Sequence, residues 1–190
     1  MSATGTGGPA SSQLPAIFGR RSQERYAVAQ TIYAADELAT LPPGACDTAL
    51  GLGHPVRWAA PRPGETVLDL GCGGGIDTLL AARAVRDGGG VAVGLDPGPE
   101  MLRLAEGNAR RSGLADVRWL QGHAEEIPLP DAAVDVVISN GVVNLLPDKD
   151  AAFAEVWRVP RPGGRMVMAD MVLRADLPPD LMTDLALWAG

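Results

Sequence analysis

The stretch that most constrains the fold of this chain is VLDLGCGGGIDTLLAA, residues 67–82. A short apolar run ends in an acid, glycines follow, and an apolar periodic run begins at once. Glycine is the residue that takes the backbone through a tight reversal without steric cost. Beyond it, Ile76, Leu79, Leu80 and Ala84 recur at helical spacing and share one face. The segment therefore predicts strand, tight turn and helix.

That unit repeats in kind along the chain. Further strands are expected at Val91 to Leu95, Val117 to Leu120, Val134 to Ser139 and Arg165 to Leu173, with the first at Thr66 to Leu70. Several are continuous apolar runs, as in a sheet covered on both faces. Met101, Leu104, Ala105 and Ala109 mark a helix between two of them. Strand and helix in alternation predict an α/β fold with a doubly wound parallel sheet. Ligands of such sheets sit beyond the carboxyl ends of the strands, where strand order reverses.

Three regions are expected. Residues 1–14, rich in Ser, Thr, Gly and Ala, bury too little to repay ordering and form a tail. Residues 15–62 form an N-terminal helical lid, helical from Arg20 to Leu38, stopped by Pro42, Pro43 and Gly44, with a short helix after Pro55. Residues 63–190 form the sheet domain. A formal charge of −7 without a basic run excludes a nucleic-acid partner, which needs clustered cations. No apolar stretch is long enough to span a membrane, and no leader-like start is present, so a cytoplasmic protein is expected. Two cysteines, Cys46 and Cys72, make no disulfide framework.

Two residues narrow the ligand. The dinucleotide pattern wants a third glycine at position 76, where the chain has Ile76. Asp69 at the lip of the turn would repel a pyrophosphate, whereas a cation is attracted. S-adenosylmethionine, with its ammonium and sulfonium, fits that acid. Asp96 lies twenty-one residues after Gly75, where an acid accepts from ribose hydroxyls. The alternative is that Asp96, before Pro-Gly-Pro-Glu, caps the next helix.

With these features the chain resembles the class I S-adenosylmethionine-dependent methyltransferases, whose Rossmann-like fold the alternation matches. Within them it looks most like the arsenite methyltransferase family, through "VLDLGCGGGID", "GLDPGPEMLRLAEGNA", "DVVISNGVVNLLPDK" and "RVPRPGGRMVMADMVLRADLP". The likeness runs from about Tyr33 to the last residue. It implies that Asp69, Leu70, Gly71, Cys72 and Gly73 form the cofactor turn, with Asp69, Gly71 and Gly73 on the methionine part. It also implies Asp96 and Pro97 at the ribose and Met101 on the adenine face. His123 stands where the family has an acid, so the Ala124 amide and Glu125 would take over the adenine edge. Asn140 and Gly141 would line the cofactor on the substrate side, or form a plain strand-end turn. The residues "SNGV" are not the Asn-Pro-Pro-aromatic clamp of amino methyltransferases, which disfavours exocyclic amines as acceptors.

Methyl transfer from a sulfonium is an in-line displacement that mainly needs a nucleophile held about 3 Å from the methyl and water kept out. Only His54 is free to serve as a base, and a helix-entrance role is its alternative, so no catalytic residue is assigned. Arsenic would need thiolates. The family cysteine of "GCGNP" is replaced by Leu52, the one after "GGGID" by Thr78, and a third position lies beyond residue 190. The expectation is a methyltransferase acting on a small molecule, without the family's arsenic ligands and without a metal. Arsenite methylation proper is the alternative, and a non-catalytic cofactor-binding or partner subunit is the rival of another class. The class closes its sheet with further antiparallel strands, for which the sequence after Leu173 leaves little room. An uncovered fifth-strand edge would favour association of copies into a homo-oligomer.

Overall fold

The structure is a computed structural model describing residues 22–49, 52–114 and 116–172. The expected tail lies outside these residues. Helices α1 (Ser22–Ile32), α2 (Ala35–Ala39), α3 (Pro43–Cys46) and α4 (Pro55–Ala59) precede the sheet. Then follow β1 (Thr66–Leu70), α5 (Ile76–Val85), β2 (Val91–Asp96), α6 (Pro99–Arg111), β3 (Arg118–Gln121), β4 (Val134–Asn140), α7 (Lys149–Arg158) and β5 (Pro160–Ala169). The sheet runs β3-β2-β1-β4-β5, every described pair parallel. Strand order reverses between β1 and β4, and this fixes where the site must be.

Neighbouring residues on a strand point to opposite faces, and the two cores follow from that. Val67, Ala92, Val136 and Ile138 face one way, onto α5 and the N-terminal helices. Leu68, Leu70, Val93, Leu95 and Val137 face the other way, with Ile127, Val156 and Val159. Helix α5 is buried on nearly every side because it lies between the sheet and the N-terminal helices. Helix α6 buries only one stripe, Ala105, Asn108 and Ala109, and carries Pro99 in its first turn, where the missing N–H costs nothing. Asp148 caps α7 by accepting from the Ala151 N–H at 2.9 Å.

Three expectations need correction. The helix foreseen from Arg20 to Leu38 breaks at Tyr33 and Ala34, because Ala34 is extended and its N–H is taken by Glu37 in a new capping contact at 2.9 Å. The fifth strand begins at Pro160, before a register shift opposite Val134 and Val136, and it ends at Ala169. Its predicted end at Leu173 lies outside the described residues. The third strand sits one residue later than predicted, at Arg118–Gln121.

The N-terminal helices are tied to the sheet by Arg165 on β5. Its guanidinium donates to the carbonyls of Ala59 and Ala60 at the end of α4, at 2.8 and 3.1 Å. It also grips both Glu65 carboxylate oxygens at 2.9 and 2.7 Å, which pulls that carboxyl down to about 2. A lowered carboxyl stabilises the fold above its unfolded value near 4.5, and the gain disappears as pH falls toward 2. Replacing Arg165→Leu is expected to cost about 1–3 kcal/mol by denaturant titration, the scale of hydrogen bonds to charged groups. The variant should also lose the acid-side decline in stability that Glu65 contributes to the parent protein.

Candidate functional site

The glycine turn after β1 is held from three elements. Cys72 N–H donates to the Leu95 carbonyl of β2 at 3.0 Å. Gly73 N–H donates to Asp96 Oδ2 at 3.0 Å, and Gly74 N–H donates to Thr48 Oγ1 at 2.7 Å. From α6, Asn108 Nδ2 donates to the Gly74 carbonyl at 2.8 Å. Gly71, at φ +65°, lets the chain after β4 approach, since a Cβ there would collide with Val142. Gly75, at φ +91°, turns the chain into α5.

These bonds bear on what the turn can hold. A pyrophosphate is bound by free backbone N–H groups at a helix start. Here Gly73 and Gly74 give theirs to Asp96 and Thr48. Beneath the turn lie buried carboxylates. Asp69 accepts from Thr78 Oγ1 at 2.5 Å, and its carboxyl is raised well above the usual range by burial first and then by Asp77. Asp77 is pushed up to about 6, again mainly by burial. Asp96 is raised by burial although Gly98 and Gly73 N–H groups support it. Asp69 is thus raised in part by its acidic neighbours Asp77 and Asp96, whereas Asp77 and Asp96 are raised mainly by burial.

Asp96 shows the contact at the start of the next helix that was its alternative reading, and it has a further partner in the glycine turn. One oxygen accepts from Gly98 N–H at 2.8 Å at the entrance of α6, and the other holds the glycine turn. Pro97 follows it at the end of β2, and Met101 lies in the first turn of α6 against Gly98. The Gly122 N–H donates to the Asp96 carbonyl at 3.3 Å, which ties the segment carrying His123, Ala124 and Glu125 to the same end of the sheet. Among the described residues, Glu125 Oε2 is buried there with no hydrogen-bond partner. Asn140 ends β4, and Gly141, at φ +72°, donates its N–H to the Ala169 carbonyl at 2.8 Å. Leu70 and Cys72 are buried in the turn. The donor set fits a cationic nucleoside better than a dinucleotide.

The sequence reading missed a second group, brought in by the N-terminal helices. Tyr33 Oη donates toward both Asp77 oxygens at 3.0 Å. Asn140 Nδ2 lies 3.0 Å from Asp77 Oδ2 and 2.9 Å from the Gly53 carbonyl. His54 caps α4 by accepting from Arg57 N–H at 3.2 Å, and its other nitrogen meets Glu37 at 3.0 Å. The helix-entrance role holds for His54, and its remaining nitrogen is taken by Glu37. An acid one residue into a helix reads as first-turn charge. The signal that Asp77 is buried was the apolar character of α5 on all its faces.

A methyltransferase-domain family model matches residues 61–190. Arsenite methyltransferase of Halobacterium salinarum is 45% identical over 152 residues, 80% of this chain and 38% of that protein. Arsenite methyltransferase of Aquipseudomonas alcaligenes is 36% identical over 132 residues, 66% of this chain and 38% of the relative. Both relatives are thus much longer, and the chain spans about two fifths of their length. The crystal structure of an arsenic(III) S-adenosylmethionine methyltransferase from Chlamydomonas reinhardtii superposes with a TM-score of 0.64 at 30% identity, covering 87% of this chain and 56% of that one.

The raised carboxyls make a pH prediction. With Asp77 near 6 in the fold and an ordinary value of 3.8, the folded protein binds an extra proton between those values. Stability should therefore fall as pH rises from about 4 to about 7. Denaturant titrations across that range should show a shallower fall for Asp77→Asn than for the parent. Equal slopes would mean that Asp77 titrates alike in both states.

Proposed function

The chain belongs to the S-adenosylmethionine-dependent methyltransferases, and from that premise we propose that it binds this cofactor at the β1–β4 switch point and methylates a small molecule. The observation that carries the proposal is the pinned glycine turn over buried acids. Its amides are committed to Asp96 and Thr48, and the acids Asp69 and Asp77 lie buried beside it. In this reading Asp69, Leu70, Gly71, Cys72 and Gly73 form the wall along the methionine part, and Asp96 with Pro97 meets the ribose. Met101 covers the adenine face. Glu125 receives the exocyclic amine beside Ala124, with His123 next to it. Asn140 and Gly141 line the side where the acceptor enters. When bound, the cofactor supplies an electrophilic methyl group, and the protein's part is to position the acceptor and exclude water.

The acceptor, in this proposal, is not free arsenite. The relatives named for that activity are similar to this chain, but the described thiols are poor ligands for a soft element. Burial and Asp47 push the Cys46 thiol up to about 11, and burial with Asp69 and Asp96 raises that of Cys72. A metalloid binds thiolates, and these groups are held as thiols. Position 78, where the family resemblance places a cysteine, has Thr78, whose hydroxyl is engaged with Asp69. Leu52 stands at the other such position.

Calorimetry is the direct test. S-adenosylmethionine should bind and nicotinamide dinucleotides should give no heat, and Asp96→Ala should weaken the cofactor by about 1–3 kcal/mol. Binding of the dinucleotide alone would overturn the reading. For the acceptor, mass spectrometry of incubations with arsenite and glutathione should find no or marginal methylated arsenic. Robust methylation that is abolished by Cys46→Ser or Cys72→Ser would make those cysteines ligands and arsenite the substrate.

A further inference from the structure

The chain leaving β4 turns on Gly141, at φ +72°, and runs into a single 3-10 turn at Val143–Leu145. A left-handed residue followed by right-handed ones aims successive N–H groups to one side and makes a concavity for an anion. Asp170, just past the end of β5, fills it. Its Oδ2 accepts from the N–H groups of Val142 at 3.1 Å and Val143 at 2.7 Å, and its Oδ1 accepts from that of Asn144 at 3.3 Å. A turn this short has no acceptors of its own for these donors. The Ala169 carbonyl takes the Gly141 N–H at 2.8 Å, so the amides from Gly141 to Asn144 are all held by the end of β5.

What this latch fixes is Val142. Its side chain lies against Gly71 of the glycine turn, so closely that a Cβ on Gly71 would collide with Val142 Cγ2. Both residues are only half-buried, so their contact borders the surface of the turn rather than the core. We propose that Asp170 is a positioning residue for the cofactor: by holding the amides of Val142, Val143 and Asn144 it keeps the Val142 side chain on Gly71, and so fixes the wall that meets the amino-acid end. The Asp170 oxygens are spent on backbone N–H groups, and the residue acts through Val142 without touching the ligand. Without the carboxylate, three loop amides must turn to water, and the loop adopts several arrangements of which only one builds the wall. Binding then has to select that arrangement, which lowers the apparent affinity by the fraction that is competent. Only ligands that reach the wall feel this loss. The inference rests on the cofactor reading above and adds to it a residue that sets the shape of the site from the neighbouring strand.

The test combines calorimetry with amide hydrogen exchange on the parent chain, Asp170→Ala, Asp170→Asn, Val142→Ala and the double alanine variant. The two ligands are S-adenosylhomocysteine and methylthioadenosine, which keeps the nucleoside and the sulfur but lacks the amino-acid end. Asp170→Ala is expected to weaken S-adenosylhomocysteine about tenfold while methylthioadenosine changes by less than about threefold. Its amides at Val142, Val143 and Asn144 should exchange about tenfold faster or more. Val142→Ala should show the same selective loss with the exchange of Val143 and Asn144 unchanged. The double variant should lose no more than Asp170→Ala, because Asp170 acts through Val142. Asp170→Asn keeps the size and one accepting oxygen, so it reads the same selective loss, at smaller size, even if the alanine variant does not fold. Equal weakening of both ligands, unchanged exchange in Asp170→Ala, parental affinities despite faster exchange, or losses that add in the double variant would overturn the proposal and leave the cofactor reading standing. A parent chain that binds neither ligand would overturn both.

Discussion

The constraint on which the rest depends is the burial of carboxylates where the strand order reverses. Asp69 stands near the carboxyl end of β1, paired in register with Gly94 on one side and Ile138 on the other. A charged group there is costly unless it is bonded or neutralised, and Thr78 supplies the protein's own bond. Asp77, on the next helix, is buried as deeply and meets Tyr33 and Asn140. Natural folds bear such buried polar groups at functional sites.

The N-terminal helices are part of that arrangement rather than an appendage. Thr48 enters the glycine turn, Tyr33 reaches Asp77, and Gly53 offers its carbonyl to Asn140. On the far side, Arg165 holds the end of α4 against β5. The segment after β4 is fixed by Asp170, which accepts from the N–H groups of Val142, Val143 and Asn144. The N-terminal segments therefore satisfy polar groups of the candidate site.

The pattern of apolar residues was enough to place five parallel strands and the main helices, because burial on both faces of a sheet dictates uninterrupted apolar runs. The breaks it missed have local polar causes. Glu37 reaching back to Ala34 splits the first helix, and this is a capping contact with no apolar signature. The displaced start of the fifth strand comes from a register shift beside Pro160. In the site, Asp69, Asp96 and the glycines could be read from spacing, since a turn fixes where its neighbours go.

By itself, then, the sequence determined the fold class and the place of the glycine turn after β1. These follow from local rules: glycine at reversals, acid at the lip, apolar runs between. Only the tertiary structure decided what Thr48, Tyr33, Asp77, Asn108 and Asn140 do. Their partners lie between 26 and 107 residues away in the chain, as in Thr48 with Gly74 and Tyr33 with Asn140. A hydrogen bond over such a separation is set by how helices and sheet pack, and no local spacing in the chain encodes it.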